Sequence, residues 1–113
     1  MLTQANRLKK TSDFKKVFRS GRSAGGNLFD LRFAANNLNF CRFGFLISLK
    51  ISRKAVKRNR IRRQLSEAIR CFLSRLKPGY DIVLIAKPRI IDAKSEEIIR
   101  DLKNVIEKNS LAA

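Results

Sequence analysis

The segment YDIVLIA, residues 80–86, is apolar at nearly every position, and it constrains the fold more than any other part of the chain. A strand with one face in water alternates apolar and polar residues, whereas an unbroken apolar run of this length is typical of an interior strand with both faces covered. The proline-containing segments on either side of it break regular structure. The sequence therefore predicts a sheet that contains this strand in its interior.

Two earlier segments alternate as half-buried strands do. In residues 27–35, Phe29, Leu31 and Phe33 face one side, and in residues 42–50 every second residue from Phe43 to Leu49 is large and apolar. Only a short NNLN turn separates the two segments, so we expect them to form an antiparallel pair that buries an aromatic face. The second face of this pair would present Arg32, Ser48 and Lys50.

Three segments carry the apolar spacing of amphipathic helices. The first is TSDFKKVFRS, in which Ser12 is the expected N-cap and Gly21 is the residue that ends the helix. The second covers residues 56–76, and the third starts at Ser95; each has one apolar stripe. The tail, residues 108–113, is expected to fray.

The predicted order of elements is helix, strand, strand, helix, strand, helix. The Gly-Gly pair after the first helix is predicted to be a break. A chain of 113 residues fits one domain, and this order favours an α/β sandwich (α+β) built on one small sheet. We therefore expect a single domain over residues 1–113.

The net charge of +17 is concentrated in the first part of the chain, where residues 1–66 carry +15 of it. A basic half joined to a balanced half indicates a polyanionic partner, either a nucleic acid or an anionic membrane surface. No apolar run approaches the length of a membrane span, and the N-terminus lacks the apolar segment of a signal peptide. We therefore expect a cytoplasmic protein with no membrane partner.

The cations crowd around the start of the second helix, and no acidic residue lies between positions 50 and 66. Arg58 and Arg62 stand at i and i+4, where like charges cost roughly 0.2–0.5 kcal/mol per pair. Phosphates turn this repulsion into attraction because their counterions are released. Arg58 falls within the sector of the apolar stripe, so its side chain should lean over the end of the sheet. The predicted nucleic-acid-binding cations are Lys50, Arg53, Lys54, Lys57, Arg58, Arg60, Arg62 and Arg63.

Phe14 and Phe18 of the first helix allow two interpretations. Both fit as core residues of a short amphipathic helix. Both also fit as walls of a groove in which single-stranded bases stack on the rings. Nearby cations such as Lys15, Arg19 and Arg32 agree with the second interpretation.

The residues needed for protein-based catalysis are scarce. The chain has no histidine, which removes the commonest general base and the commonest metal ligand. Cys41 and Cys71 lack metal-site spacing and are predicted to be small buried or half-buried thiols. Asp13 and Asp30 are isolated among cations, whereas a metal-dependent nuclease needs clustered carboxylates. Any phosphodiester chemistry would therefore be carried by another molecule.

The segment KAVKRNRIRRQLSEAIR, residues 54–70, resembles the protein subunit of bacterial ribonuclease P. That family carries an Arg-Asn-Arg helix in a pattern close to AV-x-RNR-x-KR, which stands here as Ala55, Val56, Arg58, Asn59, Arg60, Arg62 and Arg63. The segments DFKKVFRSG, RFGFLISLK and GYDIVLIAKP also resemble the family, in the same order and at the same spacing. The resemblance covers about residues 7–107.

The resemblance implies both a fold and a function. The fold would be an α/β sandwich with an uncommon left-handed βαβ crossover, opposite to the usual right-handed rule. The enzyme removes the 5′ leader of precursor tRNA, with its active site and Mg²⁺ ions held by a large RNA. The protein, a monomer within the holoenzyme, would dock on that RNA through its Arg-Asn-Arg helix. The residues that the resemblance assigns to the leader cleft are Phe14, Phe18, Arg32, Ser48 and Lys50.

Three positions depart from the family pattern. Leu49 and Ser66 stand where basic residues are more common, and Arg32 stands near a position that is aromatic in some relatives.

Two other functions stay open at this point. A structural RNA-binding protein of the ribosomal type would share the charge and size, and a stand-alone nuclease is disfavoured by the scarce catalytic groups.

Overall fold

The computed structural model describes residues 4–111 and contains one four-stranded sheet and three α-helices. The strands are β1 (Arg22–Gly25), β2 (Phe29–Ala35), β3 (Arg42–Leu46) and β4 (Tyr80–Ala86). The helices are α1 (Thr11–Ser20), α2 (Ala55–Phe72) and α3 (Ser95–Lys108). Short 3₁₀ turns cover Gln4–Asn6, Leu73–Arg75 and Pro88–Asp92.

Strand β4 is an interior strand, as its apolar run predicted. The sheet has the order β1-β2-β4-β3, and β4 pairs antiparallel with β2 and parallel with β3. Ile82 and Leu84 of β4 belong to a core shared with α2 and α3, whereas Val83 packs with Val17 of α1 on the opposite face. The three layers, α1 over the sheet over α2 and α3, confirm the predicted α/β sandwich.

The expected antiparallel pairing of the segments 27–35 and 42–50 is wrong, because β4 lies between the corresponding strands β2 and β3. The interior position pairs both edges of a strand and covers both of its faces, so it favours the segment with the least polar surface. The half-polar segments β2 and β3 flank it. Helix α2 therefore belongs to a parallel crossover from β3 to β4, and the left hand of this crossover stays a prediction from the resemblance.

Strand β1 was not expected, because the Gly-Gly pair was predicted to be a break. Gly25 instead ends a four-residue strand that pairs with β2, and only Ala24 of this strand is buried. One buried residue in four leaves almost no periodic signal. Helix α3 stabilises the turn after β1, because the carboxylate of Asp101 accepts hydrogen bonds from the backbone N–H groups of Asn27 and Leu28 at 3.1 and 2.9 Å.

Strand β3 ends at Leu46, earlier than predicted, so Ser48 and Lys50 are not strand residues. The chain turns here, and the N–H of Ile51 donates to the carbonyl of Ser48 at 3.0 Å. Ile47 and Ile51 are both buried on the core side. The turn lets both isoleucines reach the core, whereas a straight strand ending at Lys50 would carry the chain past it.

Helix ends also differ in detail from expectation. Lys10, not Ser12, is the N-cap of α1, and Gly21 ends the helix as predicted. The side chain of Leu111 is only 1% exposed, and its carbonyl accepts the N–H of Lys77 at 2.8 Å. The predicted fraying of residues 108–113 therefore does not extend to Leu111, and positions 112 and 113 lie outside the described residues.

Candidate nucleic-acid interface

The first half of α2 and the loop before it present a dense cationic surface, as the sequence predicted. The first turn of α2 contains no acidic residue, and six of the predicted cations are exposed. Arg58 and Arg62 are half-buried, and Asn59 is exposed. We call this set the basic helix surface; it comprises Lys50, Arg53, Lys54, Lys57, Arg58, Asn59, Arg60, Arg62 and Arg63.

Internal hydrogen bonds orient the two half-buried arginines. The guanidinium of Arg58 donates to the backbone carbonyl of Ser52 at 2.9 Å, so Arg58 is tied to the loop between β3 and α2. Arg62 donates to the side-chain oxygen of Asn59 at 3.0 Å. Since these contacts restrict rotamers before any ligand arrives, the surface loses less side-chain entropy on binding.

A groove of about 210 Å³ lies at the β3 edge of the sheet. Phe14 of α1 lines one part of it, and Arg62 and Ser66 of α2 line another. Gly44 brings α1 close, because a Cβ atom at this position would stand 2.5 Å from the Phe14 ring. The groove therefore joins the basic helix surface to the aromatic side of α1, a connection that helical periodicity could not reveal.

The sheet register arranges side chains on the α1 side in rows that cross the strands. In the first row, Arg42 pairs with Asp81, and Asp81 pairs with Ala34. The second row contains Gly44, Val83, Arg32 and Ser23. The third contains Leu46, Ile85, Asp30 and Gly25.

Helix α1 covers the first two rows and leaves the third open. Asp13 contacts Arg42 at 3.4 Å, and Val17 packs on Val83. A cavity of about 490 Å³ lies over the third row and extends to Phe18 and Arg32. We call the third row the open row, and this cavity the open-row cleft.

Phe18 stands at the border of the open-row cleft and is 38% exposed, whereas Val17 is the fully buried residue of α1. The guanidinium carbon of Arg32 lies 5.5 Å from the centre of the Phe18 ring. Arg32 also donates to the carbonyls of Phe18 and Gly21 at 2.7 and 3.2 Å and to the hydroxyl of Ser23 at 2.9 Å. Arg32 thus satisfies the carbonyls at the end of α1 and supports Phe18 as a ring platform.

The other predicted leader-cleft residues are less close together. Phe14 is half-buried in the groove at the β3 edge, next to Arg62. Ser48 and Lys50 are exposed in the loop that follows Leu46 of the open row, and they line neither the groove nor the cleft. The structure therefore joins Phe18 with Arg32, and Phe14 with Arg62.

Sequence reasoning missed an ion-pair network that fixes α1 on the sheet. Buried Asp81 accepts two hydrogen bonds from Arg42 at 2.7 and 2.8 Å and one from Asn36 at 2.9 Å. This hydrogen bonding with Asp81 raises the pKa of Arg42. A lone aspartate at the head of an apolar strand was the only available signal for it.

A second ion pair lies in the open-row cleft. The Lys87 ammonium stands 3.2 Å from Oδ1 of Asp30 and donates to the carbonyl of Gly26 at 2.6 Å.

Within residues 4–111, no group of three or more potential metal-ligating side chains is present, and no helix is long and apolar enough to cross a membrane. Cys41 is buried, which raises the pKa of its thiol, whereas Cys71 is exposed, contrary to expectation.

A known protein family and its members match this chain over most of its length. A family model described as Ribonuclease P matches residues 2–110. The ribonuclease P protein component of Clostridioides difficile is 37% identical over 106 residues, which cover 93% of this chain and 92% of that protein. That of Thermoanaerobacter pseudethanolicus is 36% identical over 107 residues, which cover 95% and 91% of the two chains.

Solved structures that superpose on this chain are also RNase P proteins. The RNase P protein of Staphylococcus aureus superposes with a TM-score of 0.87 at 27% identity, covering 97% of this chain and 100% of that one. The RNase P protein of Thermotoga maritima superposes with a TM-score of 0.82 at 25% identity, covering 90% and 96%. Sequence and fold therefore point to one and the same family.

Proposed function

Since this chain belongs to the ribonuclease P protein family, we propose that it binds two RNA segments at once during removal of the 5′ leader from precursor tRNA. The basic helix surface would contact the RNA subunit of the enzyme. The open-row cleft would hold the leader. The observation that carries this proposal is that α1 borders both surfaces: Phe14 meets Arg62 of the basic helix surface in the groove at the β3 edge, and Phe18 borders the open-row cleft.

The basic helix surface suits a folded RNA. Its exposed cations project from one helix and one adjoining loop, and that segment of the chain contains no acidic residue. One carboxylate comes near from elsewhere in the chain, because Asp92 lines a cavity with Lys57 and Arg60. Such a surface gains free energy when phosphates replace counterions. Arg58 and Arg62 add guanidinium planes whose orientation is set by Ser52 and Asn59, and planar guanidinium groups match phosphate oxygens and base edges.

The open-row cleft suits a single strand better than a duplex. It is bordered by the exposed ring of Phe18, and its floor on the sheet contains the apolar Ile85 beside Asp30. Bases of a single strand stack on such rings regardless of sequence, while cations track the backbone. Exposed Lys15 and Arg19, which neighbour Phe18 on α1, supply those cations.

Hydrolysis itself would be carried by the RNA subunit, with Mg²⁺ ions held by that RNA. Mg²⁺ prefers clustered oxygen ligands, and the described residues contain no cluster of three or more metal-ligating side chains. Asp13 and Asp81 pair with Arg42, Asp30 pairs with Lys87, and Asp92 is the single carboxylate in a cavity with Lys57 and Arg60. This chain would be a monomer within the holoenzyme, in the cytoplasm. The ribosomal alternative is not favoured, because the relatives are ribonuclease P proteins.

The test is the preference of the reconstituted enzyme for precursor tRNA over mature tRNA. Purified protein is combined with its RNA subunit and Mg²⁺, and dissociation constants are measured for tRNAs with and without a leader. Phe18→Ala should lower the preference by about 1–3 kcal/mol, because a stacking platform is lost. Leu38→Ala is the matched control, since Leu38 is 39% exposed but lies in the turn after β2, at the opposite end of the sheet.

Equal preference in the Phe18 variant and the wild-type enzyme would contradict the leader role of the open-row cleft. Circular dichroism of both variants separates this result from unfolding. A Phe18 variant that loses its helical signal would assign Phe18 to packing. Cleavage by the protein without RNA would contradict the proposed division of labour.

A further inference from the structure

One carboxylate lies in the middle of the open-row cleft, on a surface otherwise suited to a polyanion. Asp30 is flanked across the sheet by Gly25 and Ile85. Its Oδ1 atom pairs with Lys87 at 3.2 Å, and its side chain is 47% exposed. Its Oδ2 atom accepts no hydrogen bond from the described residues. The mechanism proposed above makes no use of this group.

A free carboxylate oxygen at this position repels phosphates, so it disfavours a strand that lies with its backbone on the sheet. Lys15 and Arg19, the exposed cations that neighbour Phe18 on α1, attract the backbone to the Phe18 side of the cleft. Together these charges favour a strand whose phosphates face the Phe18 side and whose bases point toward the open row. A base edge, not a phosphate, would then meet Asp30.

The chemistry of a carboxylate distinguishes the four bases. Its two oxygens accept hydrogen bonds and offer no donor while it is ionised. Guanine presents two adjacent donors, N1–H and the N2 amino group, on its Watson–Crick edge. Adenine, cytosine and uracil each place an acceptor beside the donor on that edge, and the acceptor would face a carboxylate oxygen. Single-stranded RNA is commonly recognised through these edges.

The surroundings of Asp30 leave room for such a base. Gly25 has no side chain, and even a Cβ atom there would stand 3.7 Å from Oδ1 of Asp30. The Phe18 ring and the Arg32 guanidinium border the same cavity, so they offer stacking surfaces for the base. Lys87 leaves acceptor capacity on the carboxylate, because each oxygen has two lone pairs.

We propose that Asp30 selects a guanine at one position of the 5′ leader by accepting hydrogen bonds from N1–H and the N2 amino group. This inference rests on the proposed leader-binding function and adds base selectivity to it. Lys87 acts as a positioning residue, because its contacts with Asp30 and with the carbonyl of Gly26 hold the carboxylate against the turn after β1.

The experiment uses the holoenzyme and a panel of precursor tRNAs that carry each of the four bases at each leader position in turn. The wild-type enzyme should bind the guanine precursor at least about fivefold more tightly than the other three at one position, as bidentate contacts discriminate in other systems. Asp30→Asn replaces one acceptor with an amide donor and should abolish this preference. Affinity for the other three precursors should stay the same or rise, because a negative charge is removed.

Two controls isolate the carboxylate. Glu96→Gln removes the same charge from an exposed position in the first turn of α3, and it should leave the base preference unchanged. Inosine in place of the preferred guanine removes only the N2 amino group and should weaken binding to the wild-type enzyme. The inosine measurement tests the contact even where Asp30→Asn fails to fold.

The outcomes separate this inference from the proposed function. No guanine preference at any position, or a preference that survives Asp30→Asn, overturns the role of Asp30 while leader-dependent binding stands. Equal binding of guanine and inosine also overturns it. A wild-type enzyme that binds tRNAs with and without a leader equally overturns the proposed function and this inference together.

Discussion

Removing Arg60 and Arg63 together should flatten the salt dependence of RNA binding by an amount that follows from the structure. Both side chains are exposed, and neither makes a hydrogen bond or ion pair with any residue in the described range. Their replacement by alanine therefore removes charge without breaking a contact within the protein. Alanine also keeps the helix, because it has the highest helix propensity.

The magnitude comes from the number of exposed cations on the basic helix surface. Each phosphate contact adds about 0.9 to the slope of the logarithm of affinity against the logarithm of salt concentration. With six exposed cations in contact, the slope is about −5.4 for the wild-type protein and about −3.6 for the double variant. Between 50 and 200 mM salt, affinity should fall about 2,000-fold for the wild type and about 150-fold for the variant. The six cations are Lys50, Arg53, Lys54, Lys57, Arg60 and Arg63.

The assay is equilibrium binding of the protein to the RNA subunit over this salt range at constant Mg²⁺. The control is Arg100→Ala with Lys103→Ala, which removes two exposed charges from α3. An unchanged slope for the α2 variant, or an equal flattening for the α3 control, would refute the reasoning. In the second case overall charge, and not the basic helix surface, would account for binding.

Two further predictions concern packing and thiol chemistry. Gly44→Ala should lower the free energy of unfolding by about 1–3 kcal/mol in denaturant titrations, because its Cβ atom would stand 2.5 Å from the Phe14 ring. The control Gly25→Ala should lower it less, because the nearest atom to a Cβ there is Oδ1 of Asp30 at 3.7 Å. Equal losses of stability in the two variants would contradict the close contact. Iodoacetamide should modify exposed Cys71 in the native protein and reach Cys41 only after unfolding. Because burial raises the pKa of the Cys41 thiol, the stability that its protonated form contributes is complete below the usual thiol pKa and should fall as the pH rises above it. Rapid labelling of Cys41 in the native protein, or unchanged stability at alkaline pH, would contradict its burial.

Local sequence patterns were sufficient to predict the layers of the fold. The apolar run of β4 indicated an interior strand, and the stripe of α2 placed Ile61, Leu65 and Ile69 on its buried side, as the structure confirms. The absence of acids near Arg60 identified the basic helix surface. The predictions for β4 and α2 are confirmed because burial requires apolar periodicity. The structure shows that the cations of the basic helix surface are exposed or half-buried, and their binding to RNA stays a prediction.

Strand pairing and the composition of the cleft depended on the tertiary structure. Every strand offers the same backbone donors and acceptors whatever its side chains. Alternation therefore shows which face of a strand is buried but not which strand lies beside it. Only the insertion of β4 between β2 and β3 places Asp30 beside Ile85 and Ile85 beside Leu46, and only the packing of α1 on Gly44 brings Phe14 to Arg62. The sequence alone shows which residue types are available and which faces they occupy. The tertiary structure determines which of them become neighbours, because contacts between residues far apart in the chain produce no periodic pattern in the sequence.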